Sequence, residues 1–205
     1  MQQRRLLALR IGALFTGLAC MGLGITLTVH AGLGVNPWTV FHVGLSQITG
    51  LSLGRVTQLM GILLVFVGTV MLKERPGIGT LVNMIMVGAF TDLFMTVPWP
   101  EPTHLATRIL ILAGGIGILG SGTGMYISTR FGAGPRDGIM LGLSRLLKRP
   151  VGRVRSGMEI VVLAIGFLLG GPVGFGTLGS VSLGPVIQWS LATMNRYWEE
   201  HWHVQ

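Results

Sequence analysis

The stretch Gly34-Val35-Asn36-Pro37-Trp38-Thr39-Val40-Phe41-His42-Val43-Gly44-Leu45-Ser46 returns 98 residues later as Gly132-Ala133-Gly134-Pro135-Arg136-Asp137-Gly138-Ile139-Met140-Leu141-Gly142-Leu143-Ser144. The same offset carries Arg10 to Arg108, Gly17 to Gly115, Gly22 and Gly24 to Gly120 and Gly122, and Gly54-Arg55-Val56 to Gly152-Arg153-Val154. With one residue of slippage, Gly77-Ile78-Gly79-Thr80-Leu81 matches Gly174-Phe175-Gly176-Thr177-Leu178. The chain therefore reads as a tandem duplication, with residues 1–97 and 108–205 as the two repeats. Residues 98–107 link them through Pro98-Trp99-Pro100-Glu101-Pro102, a run that cannot form a helix interior.

Half of the residues are hydrophobic and 11% are charged, with a mean hydropathy of +0.67, which places the chain in a lipid bilayer. Lys and Arg outnumber Asp and Glu by 15 to 7, but the cations stand at the ends of apolar runs and read as orientation signals. No soluble segment is long enough to present a basic face to nucleic acid. Cys20 is alone, so neither a disulfide framework nor a paired metal-ligand spacing exists. The histidines at 30, 42, 104, 201 and 203 are scattered, with His201 and His203 read as a solvated tail pair. Ser46 and Ser144 lack a nucleophile-elbow pattern, and Met140 stands where a second His42 would be. The sequence thus predicts no enzyme, no cofactor and no metal.

Apolar runs at residues 6–29, 56–72, 78–97, 109–129, 156–171 and 174–194 read as crossings of a hydrocarbon core of about 30 Å. Arg4 and Arg5 before the first run, with Val29-His30-Ala31 after it, resemble a secretory leader. The run is too long for a leader core and has a duplicate inside the chain, so it reads as a retained helix. Shorter helices are predicted at residues 37–49 and 136–147, each opened by Gly and Pro, which suit a tight turn and a first helical position.

If every helix crosses, cations divide 11 inside to 4 outside; if the two short helices dip in and return, they divide 13 to 2. The sharper split favours three crossings per repeat, with the repeats inverted and both termini cytoplasmic. The expected fold is an all-α polytopic membrane protein of two repeats, each with three long transmembrane helices and one short re-entrant helix. The repeats form one membrane domain. Glycine-rich faces, including Gly117 and Gly120, are read as close helix contacts. Trp99, Trp189, Tyr197, Trp198 and Trp202 are read as interfacial anchors.

Polar groups at membrane depth are costly, so each needs a role. Asp92 and Glu159 are acids inside predicted spans, either coupling groups for a proton or cation or partners of a buried Arg. Asn36, Trp38, Thr39 and His42 in the first stretch, and Arg136 and Asp137 in the second, cluster where a broken helix begins. There, free N–H groups and the positive dipole end face an anion, which makes these six the candidate substrate-binding residues. Gly34, Pro37, Gly132, Gly134 and Pro135 form the helix-breaking motif. A turn needs only the shared Gly and Pro, so the replacement of Trp38-Thr39 by Arg136-Asp137 leaves the differing residues free to build an asymmetric site. Gln58, Asn83, Ser180 and Gln188 are secondary lining candidates, or helix-to-helix hydrogen-bonding groups.

The stretches around Asn36-Pro37-Trp38-Thr39, Pro76-Gly77-Ile78-Gly79-Thr80 and Gly134-Pro135-Arg136-Asp137-Gly138 resemble the YczE/YyaS/YitT family of bacterial integral membrane proteins, in its YczE branch. The likeness covers almost the whole chain. It implies a multi-pass protein of the bacterial inner membrane. Where the family's first motif usually reads Pro-Trp-Asp, this chain has Thr39, so a role carried by that acid is lost or moved here.

Two functions fit these residues. The first is a permease or exporter of a low-molecular-weight solute, with its site at the two broken helices. The second is a non-transporting accessory protein that binds a partner complex through its Gly-rich faces. The length allows one pathway per protomer or a homodimer that completes one.

Overall fold

The computed structural model describes residues 2–132 and 134–202, with Gln2 and Trp202 by backbone alone. Ala133, His203 and the anchoring expected of the Trp202 side chain lie outside the described residues. In chain order the helices are α1 (Gln2–Ala31), α2 (Pro37–Thr49), α3 (Leu53–Val70), α4 (Ile78–Met95), α5 (Leu105–Ser128), α6 (Pro135–Leu147), α7 (Val151–Leu168), α8 (Phe175–Gly179) and α9 (Leu183–Trp202). A 3-10 turn, Ser180–Ser182, joins the last two, and no strand occurs among the described residues.

Four helices, α1, α3, α4 and α5, are long and apolar enough to cross a membrane. Their outward faces carry exposed Leu59, Phe66 and Leu110, as lipid contact requires. Six crossings were expected, and the other two segments are less apolar or less continuous than these four for physical reasons. Helix α7 carries Arg153, Arg155 and Glu159 in its 18 residues. The run at 174–194 is interrupted: the hydroxyls of Ser180 and Ser182 donate back to the Thr177 and Gly179 carbonyls at 2.6 Å each, competing with helix continuation. Pro185, lacking an N–H, then fits only the first turn of a new helix.

Helices α2 and α6 have 13 residues each, about 20 Å at helical rise, well short of a bilayer core. Both begin with Pro at the first position. Gly50 ends α2 in the left-handed conformation, and Lys148 ends α6 in the same one.

Glycines set how the helices meet. On α1, a Cβ at Gly17 would stand 2.8 Å from the Gly122 carbonyl, and one at Gly24 would stand 2.6 Å from the Leu119 nitrogen. As α1 advances its contacts on α5 recede, so this central pair runs antiparallel. Helix α4 packs on α1, α9 on α5 and α3 on α4, while α2 lies against α7 and α6 against α3. Gly120 packs on Val186 of α9, whereas Gly117 has no neighbour within 4 Å of a Cβ.

Peripheral bonds hold the ends. Arg108 Nε donates to the Ala31 carbonyl at 2.8 Å and its Nη2 donates to that of Gly32, capping α1. Arg145 of α6 pairs with Glu74. Trp99 stays near its linker, donating Nε1–H to the Phe94 carbonyl at 3.0 Å. Trp198 departs from the expected anchoring: it is buried and donates Nε1–H to Ser128 Oγ at 3.2 Å, because α9 folds back along the end of α5.

Candidate functional site

The break between α1 and α2 depends on Gly34 at φ +95°, and the break before α6 on Gly132 at φ +140°, a region that L side chains rarely adopt. Each break is pinned to the opposite half. Gly176 N–H donates to the Leu33 carbonyl at 2.7 Å, and Gly79 N–H donates to the Phe131 carbonyl at 2.9 Å. The recipient helices start alike: Gly77 N–H donates to Thr80 Oγ1 and Gly174 N–H to Thr177 Oγ1, both at 3.2 Å. Gly77 and Gly174 are where these backbones cross, because any Cβ there would strike the opposite break.

Caps then aim the short helices. Asn36 Oδ1 accepts from Thr39 N–H at 3.1 Å while Asn36 Nδ2 donates to Thr39 Oγ1 at 2.8 Å, so the pair closes on itself. At α6 the N-cap is Gly134, and the Asp137 carboxylate turns back to accept from the Gly134 backbone. The two starts meet: Arg136 Cζ stands 4.8 Å from the centre of the Trp38 ring, a cation–π contact. No carboxylate lies within 4.0 Å of that guanidinium among the described residues.

Between the breaks lies a cavity of about 670 Å³. Asn36, Trp38, Thr39, His42, Arg136, Asp137 and Glu159 all line it, as do Pro37, Gly134 and Pro135. His42 sits one turn after Trp38, its ring centre 6.3 Å away at a steep angle. Thr57 Oγ1 is 3.1 Å from His42 Nδ1 and 2.9 Å from the Leu53 carbonyl. A hydroxyl has one hydrogen, and giving it to Leu53 leaves Thr57 to accept from Nδ1–H. Neutral His42 then carries its lone pair on Nε2, which is buried without a partner among the described residues. A buried acceptor left in this state costs about 1–3 kcal/mol, a cost that a donor on a bound molecule would remove. Glu159 accepts from Arg155 Nε at 3.0 Å, and both are partly exposed at the cavity's edge.

Asp92 lies elsewhere. It does not line the cavity; its two oxygens accept from Ser52 Oγ at 2.5 Å and Gly54 N–H at 2.7 Å, holding the end of α4 against the start of α3. Gly34 and Gly132 shape the breaks from outside the lining. Of the secondary candidates Asn83 and Ser180 line the cavity, while Gln58 donates to the Ile85 carbonyl at 2.8 Å. Asp92→Ala is expected to lower stability by about 1–3 kcal/mol by stripping two donors of their acceptor, read as a fall in thermal midpoint in detergent. Ligand responses should be unchanged in that variant.

The sequence reading missed Tyr126, which is buried, lines the cavity and donates its hydroxyl to the Gly132 carbonyl at 2.8 Å. It also missed Thr57 and Thr123. The available signal was a lone Tyr late in a Gly-rich helix, six residues before Gly132 of the second break.

A polytopic helical membrane protein with a mostly apolar cavity, polar where two broken helices meet, is the class these features define. Residues 8–191 match the family described as "Family of unknown function (DUF6198)", and the chain belongs to that family. It is 35% identical over 187 residues to the uncharacterized membrane protein YczE of Bacillus subtilis (strain 168), covering 90% of this chain and 86% of that one. An uncharacterized protein of Haemophilus influenzae is 38% identical over 187 residues, covering 91% and 85%. The uncharacterized protein YyaS of Bacillus subtilis is 29% identical over 173 residues, covering 83% and 86%. No solved structure matches the chain.

Proposed function

We propose that this protein is a permease or exporter of a low-molecular-weight solute, which binds where the two broken helices converge. The observation that carries the reading is the contact of Arg136 with Trp38 across one cavity, because it brings together two stretches 98 residues apart. Discontinuous helices meeting in the membrane interior are a recurrent way of building a transport site.

In this reading the halves are inverted repeats. Support comes from the bounds of α2 and α3, which shifted by 98 give those of α6 and α7, and from the antiparallel run of α1 and α5. Four crossings per repeat would make α1 and α5 parallel, whereas three make them antiparallel. Both termini then face the cytoplasm of a bacterial cell, in line with the 13 to 2 division of cations. Arg136 holds an anionic group of the solute, His42 accepts a donor from it, and Glu159, released from Arg155, is the coupling group. Residues from both halves of one chain line the cavity, which supports one pathway per protomer.

Reconstituted vesicles loaded with a metabolite mixture test this by counterflow. Solute exchange should be lost with Arg136→Ala or Asp137→Ala in protein that inserts normally. Undiminished exchange in both variants would remove the site from the breaks.

A further inference from the structure

We propose that the cavity is loaded sideways from the bilayer through an open seam between α7 and α9, and that its solute is a single-chain amphiphile with an anionic head. This rests on the reading of the cavity as a solute site. The two halves differ at one wall. In the first half α3 and α4 are sealed: a Cβ at Gly88 would stand 2.6 Å from Gln58 Cγ, one at Gly61 would stand 2.7 Å from Met84 Cγ, and Gln58 bonds to the Ile85 backbone. The corresponding helices of the second half are α7 and α9, and no comparable packing joins them among the described residues. A Cβ at Gly152 or at Gly184 would meet nothing within 4 Å.

The sequence explains why this wall fails to close. At the repeat offset Gly61 becomes Glu159 and Gln58 becomes Ser156, so α7 has lost the small residue that lets a neighbour approach and the amide that ties it there. Side chains from both sides of the gap, among them Ile160, Val181 and Ile187, line the cavity. Ile160 of α7 and Val181 of the 3-10 turn before α9 are also 67% and 79% exposed, so the opening has an apolar stretch for hydrocarbon beside the Arg155–Glu159 pair.

That arrangement fits an alkyl chain at the seam and a polar head inside, on Arg136 and His42. Met21, Met60, Met84, Met140 and Met158 line the cavity, and methionine adapts to chains of varied shape. A volume of about 670 Å³ lies within the range for drug-sized ligands, which suits one chain and not a two-chain lipid.

Full-length protein in nanodiscs, titrated with straight-chain carboxylates from acetate to dodecanoate, tests the inference. Apparent affinity should rise about fourfold per methylene until the chain fills the cavity. Arg136→Ala should lose the response at all lengths, which separates it from general effects of amphiphiles on the bilayer. Gly184→Trp, placed in the seam where a side chain has room, should keep the wild-type thermal midpoint and the response to acetate but lose the gain with length. Binding that depends on Arg136 but not on chain length, or a length dependence untouched by Gly184→Trp, overturns sideways loading and leaves the solute site standing. No response to any carboxylate overturns the amphiphile, and the solute site is then judged by counterflow alone.

Discussion

Gly34→Val is expected to lower the thermal midpoint sharply and to reduce the yield of folded protein from the membrane. The residue sits at φ +95°, where a β-branched side chain is strained by about 1–2 kcal/mol. Its Cβ would also lie 2.8 Å from Gly174 Cα and 3.0 Å from Thr177 Oγ1. Relief by backbone movement is blocked, because the Gly176 to Leu33 hydrogen bond fixes the two strands of chain at that crossing. Overpacking of a well-packed site adds about 1–3 kcal/mol, and the sum is a large share of a typical stability of about 5–15 kcal/mol. The control is Gly138→Ala in α6, where a Cβ meets nothing within 4 Å and helix propensity favours Ala by about 1 kcal/mol. Monodispersity after detergent extraction, together with the thermal midpoint, distinguishes the two. A well-folded Gly34→Val protein would mean that the break has another geometry.

Arg136→Gln is expected to keep the fold and lose the solute. The guanidinium lies over Trp38 with no carboxylate within 4.0 Å among the described residues, so its removal breaks no direct ion pair, although neighbouring buried Asp137 loses a favourable charge. Loss of one member of a buried charge pair costs about 2–5 kcal/mol, so affinity for an anionic solute should fall by upward of about thirtyfold, while the unliganded protein stays folded with a modestly lower thermal midpoint. Arg136→Lys should recover only part of it, because an ammonium keeps the charge but not the planar fork. Equal binding by the Gln variant and the wild type would show that the solute does not use this cation.

Much of this architecture was legible in one sequence because it rests on Gly and Pro, whose constraints are backbone constraints. The 13-residue helices α2 and α6 begin where Pro37 and Pro135 predict. The residues singled out at the two breaks, Asn36, Trp38, Thr39, His42, Arg136 and Asp137, lie on the lining of one cavity. What a linear reading could not supply was partnership between distant segments. Asp92 looks like a buried acid by its position in an apolar run, yet Ser52 and Gly54, some forty residues earlier, occupy both of its oxygens. Trp198 looks like an anchor by composition, but α9 returns it to Ser128. The last apolar run hid a break because hydropathy does not register the hydroxyls of Ser180 and Ser182 or the missing N–H of Pro185.

That one solute site is assembled from both halves is tested most directly by ligand-dependent thermal unfolding of the detergent-purified protein against a broad metabolite panel. A ligand that binds only the folded state raises stability by RT ln(1 + [L]/Kd), about 2.7 kcal/mol at a hundredfold excess over Kd. Wild type, Trp38→Ala and Arg136→Ala are compared on the compounds that respond. The expected result is a shift for one chemical class that both variants lose, although their substitutions lie in different halves of the chain. A shift retained in full by either variant would contradict a shared site, and a folded protein that responds to nothing would contradict a solute site altogether.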